Sequence, residues 1–311
     1  MMNPMISPVP SHPILRRYLP ALRYGLAALA LLPLAASAGP NDPVTLRMKF
    51  KAGETSDYQV SMQYTVNMPG LSQAKPSGDV KPPSANGMTQ DLSMFQHSKV
   101  TKALPNGNGE VEVTVTDATG KGATAKPITM VYDPLGNVVS MNMPGSQGGG
   151  PTASMFGALG NPGISNTQGT FLPSKAVKPG DTWTQSIKLP GYTGNGTVTV
   201  KYVKRNTVGR YQTAFLQSTM TLPINFSLDS SGKPATDPSK AIVISSGTLK
   251  MTYDNDFAIA EGKLIRSSSN GVMDMTMITK GGKSPNGGTS AQPQKIAMSI
   301  KITSTASILQ K

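Results

Sequence analysis

The chain has 311 residues, a formal net charge of +13 and no cysteine. Disulfide bonds and thiol catalysis are therefore excluded, and a hydrophobic core must hold the fold together. A single histidine, His97, remains after residue 38. A single histidine excludes His-rich metal sites. It also means that a Ser-His-acid triad would have to use His97 as its base.

The first 38 residues have the pattern of an export signal. Three arginines, the last of them Arg23, precede an apolar run from Gly25 to Leu34 that is too short to span a bilayer as a helix. Ala36-Ser-Ala38 is typical of a cleavage site before Gly39. Since neither a longer apolar run nor a cysteine for lipidation follows, we expect a cleaved signal peptide (1–38) and a periplasmic or extracellular protein without a transmembrane segment.

Hydrophobic alternation predicts β-strands along most of the first half. Leu, Met and Phe at positions 46, 48 and 50 share one face of a first strand, and residues 58–68 alternate for eleven positions. Residues 69–90 are rich in Pro, Gly and Ser and predict a long loop. Further strands are predicted at 92–103, 110–116, 128–132 and 138–143, with hairpin turns at 105–109 and 133–137.

A second tract rich in Gly and Pro, residues 144–170, predicts a linker, within which 153–159 is compatible with one helical turn. It separates a first unit (39–143) from a second unit (171–311). The second unit repeats the plan, with strands predicted at 181–189, 197–204, 210–222, 248–253, 272–278 and 296–302. Because each strand has one polar face, antiparallel pairing is favoured.

Two short motifs recur in the same order in both units. Lys51-Ala-Gly-Glu-Thr55 matches Lys178-Pro-Gly-Asp-Thr182, and Tyr132-Asp133 matches Tyr253-Asp254, where we expect a hairpin with a longer loop. We therefore predict a tandem repeat of two related antiparallel β units, all-β, built as a curved sheet or a sandwich. Coincidence remains the alternative, since Lys-Pro-Gly-Asp is ordinary turn chemistry.

An exported chain with a Lys-x-Gly-acid-Thr opening, long antiparallel strands and a Tyr-Asp hairpin resembles bacterial envelope proteins. It is similar to the LolA-like lipoprotein carriers of the periplasm. That resemblance implies a curved sheet cupped around a hydrophobic cavity, with helices closing the cup and lipid as cargo. No site residue can be transferred from it.

Several residues have both a functional and a structural interpretation. Met273, Met275 and Met277 could bind Cu(I) through their thioethers, but residues at this spacing also share the core face of a strand, which we favour. Trp183, the only tryptophan, could stack on a ligand, although a cap on the core is the favoured role. Asp254-Asn-Asp256 does not match the sequence pattern of an EF-hand calcium loop, so a polar turn is predicted there.

The basic charge is concentrated in the second unit. Residues 39–160 hold nine basic and nine acidic side chains, whereas residues 161–311 hold 17 Lys and Arg against 7 Asp and Glu. Such asymmetry indicates an anionic partner, an envelope lipid or polymer, because no aromatic residues interleave as nucleic acid would require. The predicted anion site consists of Lys201, Lys204, Arg205 and Arg210, with Lys201 and Arg205 on one wet face. Edge lysines that prevent aggregation are the other interpretation of these residues, and it is the one we favour.

These patterns predict an exported, non-enzymatic binding or envelope-associated protein for an apolar or anionic ligand, with no catalytic residue, metal or cofactor. Two alternatives stay open: a surface or matrix structural protein, and a hydrolase that uses carboxylates alone. A deep apolar cavity would favour the binding protein. Two filled cores with exposed sheet edges would favour the structural protein. Two facing carboxylates about 5–9 Å apart would favour the hydrolase.

Overall fold

The computed structural model describes residues 39, 41–67, 87–118, 127–142, 171–188, 195–228, 243–279 and 294–309. The predicted signal peptide, linker and helical turn, and Met143, lie outside these residues. Within the described ranges all regular structure is antiparallel strand, as the alternation predicts. The eleven strands are β1 (Thr55–Asn67), β2 (Met88–Ala103), β3 (Gly109–Asp117), β4 (Ile128–Tyr132), β5 (Val138–Asn142), β6 (Thr182–Lys188), β7 (Asn195–Val208), β8 (Tyr211–Leu228), β9 (Val243–Ala258), β10 (Lys263–Thr279) and β11 (Gln294–Ile308).

The strands form one open sheet with the order β5-β4-β3-β2-β1-β11-β10-β9-β8-β7-β6. β1–β5 and β6–β11 are each an up-and-down meander, and both run in the same direction across the sheet. They meet where β1 pairs with β11, from Tyr58 opposite Ile308 to Asn67 opposite Ser299. The two predicted β units are therefore parts of a single curved sheet and not of a sandwich.

The two Gly-acid-Thr openings form turns with the same hydrogen bonds. Gly53 and Gly180 have φ of 83° and 97°, a region in which a residue with a Cβ is strained. The Gly53 N–H donates to the carbonyl of Val100 at 2.8 Å, and the Gly180 N–H to that of Tyr202 at 2.7 Å. A register shift follows each acceptor, after Val100 in β2 and after Tyr202 in β7. The two openings are thus locally equivalent.

The short turns among the described residues all lie at one end of the sheet, here called the turn end, and the opposite end is called the loop end. Strands β1, β3, β8 and β10 run from the turn end to the loop end, and β2, β4, β9 and β11 run back. The turn end holds all six glycines of positive φ among the described residues: Gly53, Gly107, Gly136, Gly180, Gly209 and Gly262. The two ends of the sheet therefore differ in construction.

Several strands are longer than predicted. β2 begins at Met88, inside the stretch predicted as a loop to Gln90. β9 continues to Ala258, so Asp254 lies within a strand and not in a hairpin loop. In both stretches polar residues occupy both faces of the strand, at 89–91 in β2 and at 254–256 in β9, so the apolar alternation that marks a strand is interrupted there.

Two extended segments, here called strap 1 (41–50) and strap 2 (171–177), cross the turn end. They are joined by Val44 and Val177, which exchange two backbone hydrogen bonds of 2.7 and 2.9 Å. The prediction of a first strand over 46–50 is wrong. Its backbone groups bond to turns instead, with the Met48 N–H donating to the carbonyl of Pro134 at 2.8 Å.

Strap 2 also links the two edges of the sheet. The Leu172 N–H donates to the carbonyl of Leu135, in the β4–β5 turn, at 3.0 Å. From β6, the Gln185 side chain donates to the carbonyl of Leu172 at 2.7 Å. Since β5 and β6 are the opposite edges, the sheet must curl until both reach the same segment, which gives it an inner and an outer face.

Two hydrophobic cores fill the inner face. The large core combines the inner residues of β7–β11 with the straps, from which Leu46 and Leu172 are fully buried. The small core is formed by β3 and β4, around Val113 and Tyr132. Each fully buried Leu or Val contributes about 1.5–3 kcal/mol, so these cores take the place of disulfide bonds in the cysteine-free chain.

An ionic cluster around the buried carboxylate of Asp256 joins four strands on the outer face. Asp256 of β9 is 1% exposed and accepts two hydrogen bonds from Arg266 of β10, at 3.0 and 2.7 Å. Its other oxygen accepts from Asn206 of β7 at 2.9 Å and from Thr213 of β8 at 3.2 Å. The carboxylate is therefore compensated at both oxygens, as a buried charge requires.

We expect Asp256→Ala to lower the free energy of unfolding by about 1–3 kcal/mol, because it strips Asn206 and the buried Thr213 of an acceptor. The Arg266 side chain is 57% exposed, so water replaces the lost carboxylate there. Urea unfolding followed by circular dichroism measures the loss. Asp254→Ala is the matched control, since Asp254 is exposed and its carboxylate accepts a hydrogen bond from the Gln217 side chain at 3.0 Å, and it should change stability by about 0.5 kcal/mol or less. Equal losses in both variants would contradict the role of the cluster.

Stability should fall above about pH 10. Burial raises the pKa of Tyr253 and of Tyr58 above the usual value of 10.0, and their hydroxyls donate to Met251 Sδ at 3.1 Å and to the carbonyl of Leu264 at 2.9 Å. The unfolded chain loses these protons first, so the stabilisation is complete below pH 10 and is lost as the pH rises beyond it. Urea unfolding between about pH 8 and pH 11 measures this slope. Tyr253→Phe should reduce it by up to about 1.4 kcal/mol per pH unit, and an unchanged slope would argue against Tyr253 as its source.

Candidate functional site

An apolar strip on the inner face of β1 and β2, here called the open strip, lies between the two cores and belongs to neither. Its β2 members are partly exposed, with Met88 at 59% and Leu92 at 40%. The inner apolar residues of β7–β11, by contrast, are nearly all buried. The open strip consists of Val60 and Met62 of β1 and Met88, Leu92 and Met94 of β2.

The register of the sheet fixes the direction of these side chains. Met94 lies opposite Val60, and Leu92 lies opposite Met62. Val60 and Met62 are buried on the inner face, and directly paired residues point to the same face. Met88 and Leu92 therefore point inward although water reaches them. Their exposure increases toward the loop end, where β1 and β2 have no strap above them.

Polar groups mark both ends of the strip. Near the loop end, the Tyr64 hydroxyl bonds to the side-chain carbonyl of Gln90. Toward the turn end, Gln96 is 2% exposed, and its amide nitrogen donates to Ser98 Oγ at 3.0 Å. Its Oε1 has no hydrogen-bond partner among the described residues. Such a buried acceptor costs about 1–3 kcal/mol, which a donor arriving on a ligand would recover.

Beyond Gln96, a small cavity of about 80 Å³ continues the inner face under strap 1. Phe50 of the strap and Tyr58 and Val100 of the strands contribute to its apolar lining. An ion pair between Lys263 and Glu54, 3.0 Å apart, also lines it. The strip is thus enclosed at the turn end and accessible at the loop end.

The four basic residues predicted as an anion site do not share one face. In β7 the register shifts between Tyr202 and Lys204, so that Arg205 lies opposite Ala214, a fully buried inner residue. Arg205 therefore points inward and donates to the carbonyl of Asp42 in strap 1 at 2.9 Å. The prediction that it shares a wet face with Lys201 is wrong, because the bulge inverts the alternation.

The other three cations of the set remain exposed. Lys201 lies on the outer face, opposite Gln217 of β8. The Lys204 ammonium lies 6.0 Å from the centre of the Phe215 ring, and the Arg210 guanidinium lies 5.2 Å from that of Tyr211. Both geometries are cation–π contacts that stabilise the chain itself.

Trp183 is partly buried and contributes to the fold. Its ring packs against the large core, and its indole N–H donates to the carbonyl of Phe171 at 2.8 Å. It therefore anchors strap 2 on β6, which agrees with the favoured prediction of a core role. The methionines agree as well: Met273 and Met275 are buried in the large core, and Met277 packs against it.

The described residues contain no group of three or more His, Asp or Glu side chains placed to hold a metal ion. His97 lies on the outer face of β2, where its Nδ1 is 2.5 Å from Asp57 Oδ1. Across the parts of the chain that the structure describes, no helix has the length and apolar character to cross a membrane.

Sequence reasoning missed the open strip because it placed Met88 in a loop. A signal was present, since Met88, Leu92 and Met94 recur at even spacing with the inner residues of β2. Glycine and serine before Met88 hid this alternation. That the strip would stay outside both cores could not be read from periodicity, which is the same for covered and uncovered strands.

The chain matches no protein-family model, and no curated protein is significantly similar to it in sequence. The chemistry of the site residues themselves is therefore the basis for the proposed function.

We expect Trp183→Phe to destabilise the protein by about 1–3 kcal/mol, because the buried carbonyl of Phe171 loses its donor while the aromatic contact is kept. Urea unfolding of the two proteins measures the difference. In the native protein, emission from this single tryptophan should be blue-shifted and resist quenching by iodide. Red-shifted, readily quenched emission would instead indicate an exposed ring able to stack on a ligand.

Proposed function

We propose that this is an exported, non-enzymatic binding protein that holds an apolar chain, such as the acyl chain of an envelope lipid, along the open strip. The observation that carries the proposal is the exposure of Met88 and Leu92 on an inner face that is otherwise packed. Full burial of such a side chain is worth about 1.5–3 kcal/mol, and because 59% of Met88 and 40% of Leu92 are still exposed, covering the remainder is worth about 1 kcal/mol for each.

The chemistry of the strip supports an apolar chain with a polar head. Methionine adapts its shape to irregular partners, which suits ligands of varied length. The buried Oε1 of Gln96, which has no hydrogen-bond partner among the described residues, would accept a hydrogen bond from an amide or hydroxyl of a ligand that reaches the turn end of the strip. The sequence resemblance to LolA-like carriers agrees with this proposal, because it implies a curved sheet around an apolar cavity and lipid as cargo. Export by the predicted signal peptide would bring the protein to such lipids.

A matched pair of variants on β2 tests the proposal. Leu92 and Phe95 are 40% and 39% exposed but point to the inner and outer face respectively. Leu92→Glu should weaken binding of a fluorescent fatty acid at least about tenfold, because it removes apolar contact and places a carboxylate beside the chain. Phe95→Glu should leave the affinity within about twofold, since its side chain lies on the other face. Titration followed by fluorescence measures both.

Equal loss of affinity in the two variants would show that binding is not on the inner face. No binding by the unmodified protein, of the fatty acid or of phospholipid detected by native mass spectrometry, would reject the proposal. Urea unfolding of both variants separates a loss of binding from a loss of fold.

A surface or matrix structural protein is the second candidate, and the sheet edges favour it. Among the described residues β5 and β6 each have a strand neighbour on one side only, and both cores are filled. Edge strands of this kind can pair with another copy. Concentration-dependent assembly in sedimentation velocity, together with failure to bind the fatty acid, would favour this candidate over the carrier.

A further inference from the structure

We propose that the outer face of β9–β11, near the loop end, docks on an anionic lipid bilayer. This surface, here called the basic face, is distinct from both the open strip and the four cations predicted from the sequence. It combines three exposed lysines with two exposed apolar side chains, arranged in alternation by the strand register. Its members are Lys250 of β9, Val272 and Ile278 of β10, and Lys295 and Lys301 of β11.

The register brings these residues together. Val272 lies directly opposite Lys250 on one neighbouring strand and Lys301 on the other. Ile278 lies opposite Lys295. Directly paired side chains point to the same face with Cβ atoms about 5 Å apart. Val272 therefore has an ammonium group on each side, and Ile278 has one on the β11 side.

The charge of the surface is complementary to phospholipid head groups. Across residues 272–278 of β10 and the residues paired with them on β9 and β11, Asp274 is the only acidic side chain. Its carboxylate accepts a hydrogen bond from Ser299 Oγ at 2.7 Å. An open groove of about 510 Å³ runs across these strands, lined by Lys250, Val272 and Asp274 together with small hydroxyl side chains. The groove offers space beside Lys250 for a phosphate head group.

The apolar side chains decide between a bilayer and a soluble polyanion. Val272 and Ile278 are 37% and 39% exposed, and they gain nothing from a polymer that has charge but no apolar phase. At a bilayer the lysines attract phosphates while these side chains enter the boundary between head groups and acyl chains. The combination therefore favours an anionic membrane.

The position of the basic face would allow the protein to exchange a lipid bound on the open strip with the membrane, an aspect that rests on the proposed function. β11 is the neighbour of β1, and Lys301 lies opposite Thr65, next to the inner residue Val66. Val66 in turn lies opposite Met88 of the open strip. Docking by this face would hold the accessible end of the strip close to the membrane surface.

Co-sedimentation of the processed protein with vesicles tests the inference. We expect binding to vesicles of 30% phosphatidylglycerol in phosphatidylcholine at about 50 mM salt, and little binding to phosphatidylcholine alone or at about 500 mM salt. The triple variant Lys250→Gln, Lys295→Gln, Lys301→Gln should bind about one to two orders of magnitude more weakly, since each lysine contributes about fivefold. Val272→Asp should weaken binding further when it is added to this variant.

The matched control removes three positive charges elsewhere in the same half of the chain: Lys201→Gln, Lys204→Gln, Arg210→Gln. Its binding should fall only slightly. An equal fall in both triple variants would show attraction by net charge alone and would overturn the inference. Binding to polyphosphate as tight as to vesicles, or vesicle binding indifferent to salt, would also overturn it. Fatty-acid binding by both variants, measured in parallel, should persist, so that a failure here is distinguishable from a failure of the proposed function.

Discussion

The pairing of β1 with β11 is the contact on which the rest of the structure depends. It joins the first strand to the last, for instance Tyr58 to Ile308, and turns two meanders into one sheet. Without it, each meander would have an additional open edge, and Tyr64 and Val66 of β1 would lose their contact with the large core. Contacts this distant in sequence are entropically costly to close, so the hairpins within each meander should form before this pairing.

The straps solve the problem that the open sheet creates. An antiparallel sheet with one apolar face needs a cover, and helices provide it in many folds. Here two extended segments cover the turn end and bury Leu46 and Leu172, while Arg47 donates to the carbonyl of Pro173 at 2.5 Å and so holds the segments together. The loop end of β1 and β2 receives no such cover from the straps. The difference between the two ends is what makes the inner face a candidate binding surface.

One register shift redistributes the positive charge. The bulge after Tyr202 sends Arg205 to the inner face, where it stabilises strap 1, and leaves Lys201 on the outer face. The excess charge of the second unit is therefore not a single cluster. Part of it supports the fold through aromatic contacts and strap bonds, and part lies on β9–β11 beside exposed apolar side chains. Different Lys and Arg residues of the second unit thus serve stability and the proposed membrane binding.

The sequence by itself determined the strand content, the antiparallel pairing, the turn chemistry at Gly53 and Gly180 and the inward orientation of Met273, Met275 and Trp183. All of these follow from local rules: alternation with a period of two, and the backbone freedom of glycine. Only the tertiary structure decided that the two units share a sheet, that residues 46–50 form a strap, and that Met88 and Leu92 stay outside both cores. These depend on which distant strands pair and on single-residue bulges, and periodicity along one strand contains no information about its neighbours.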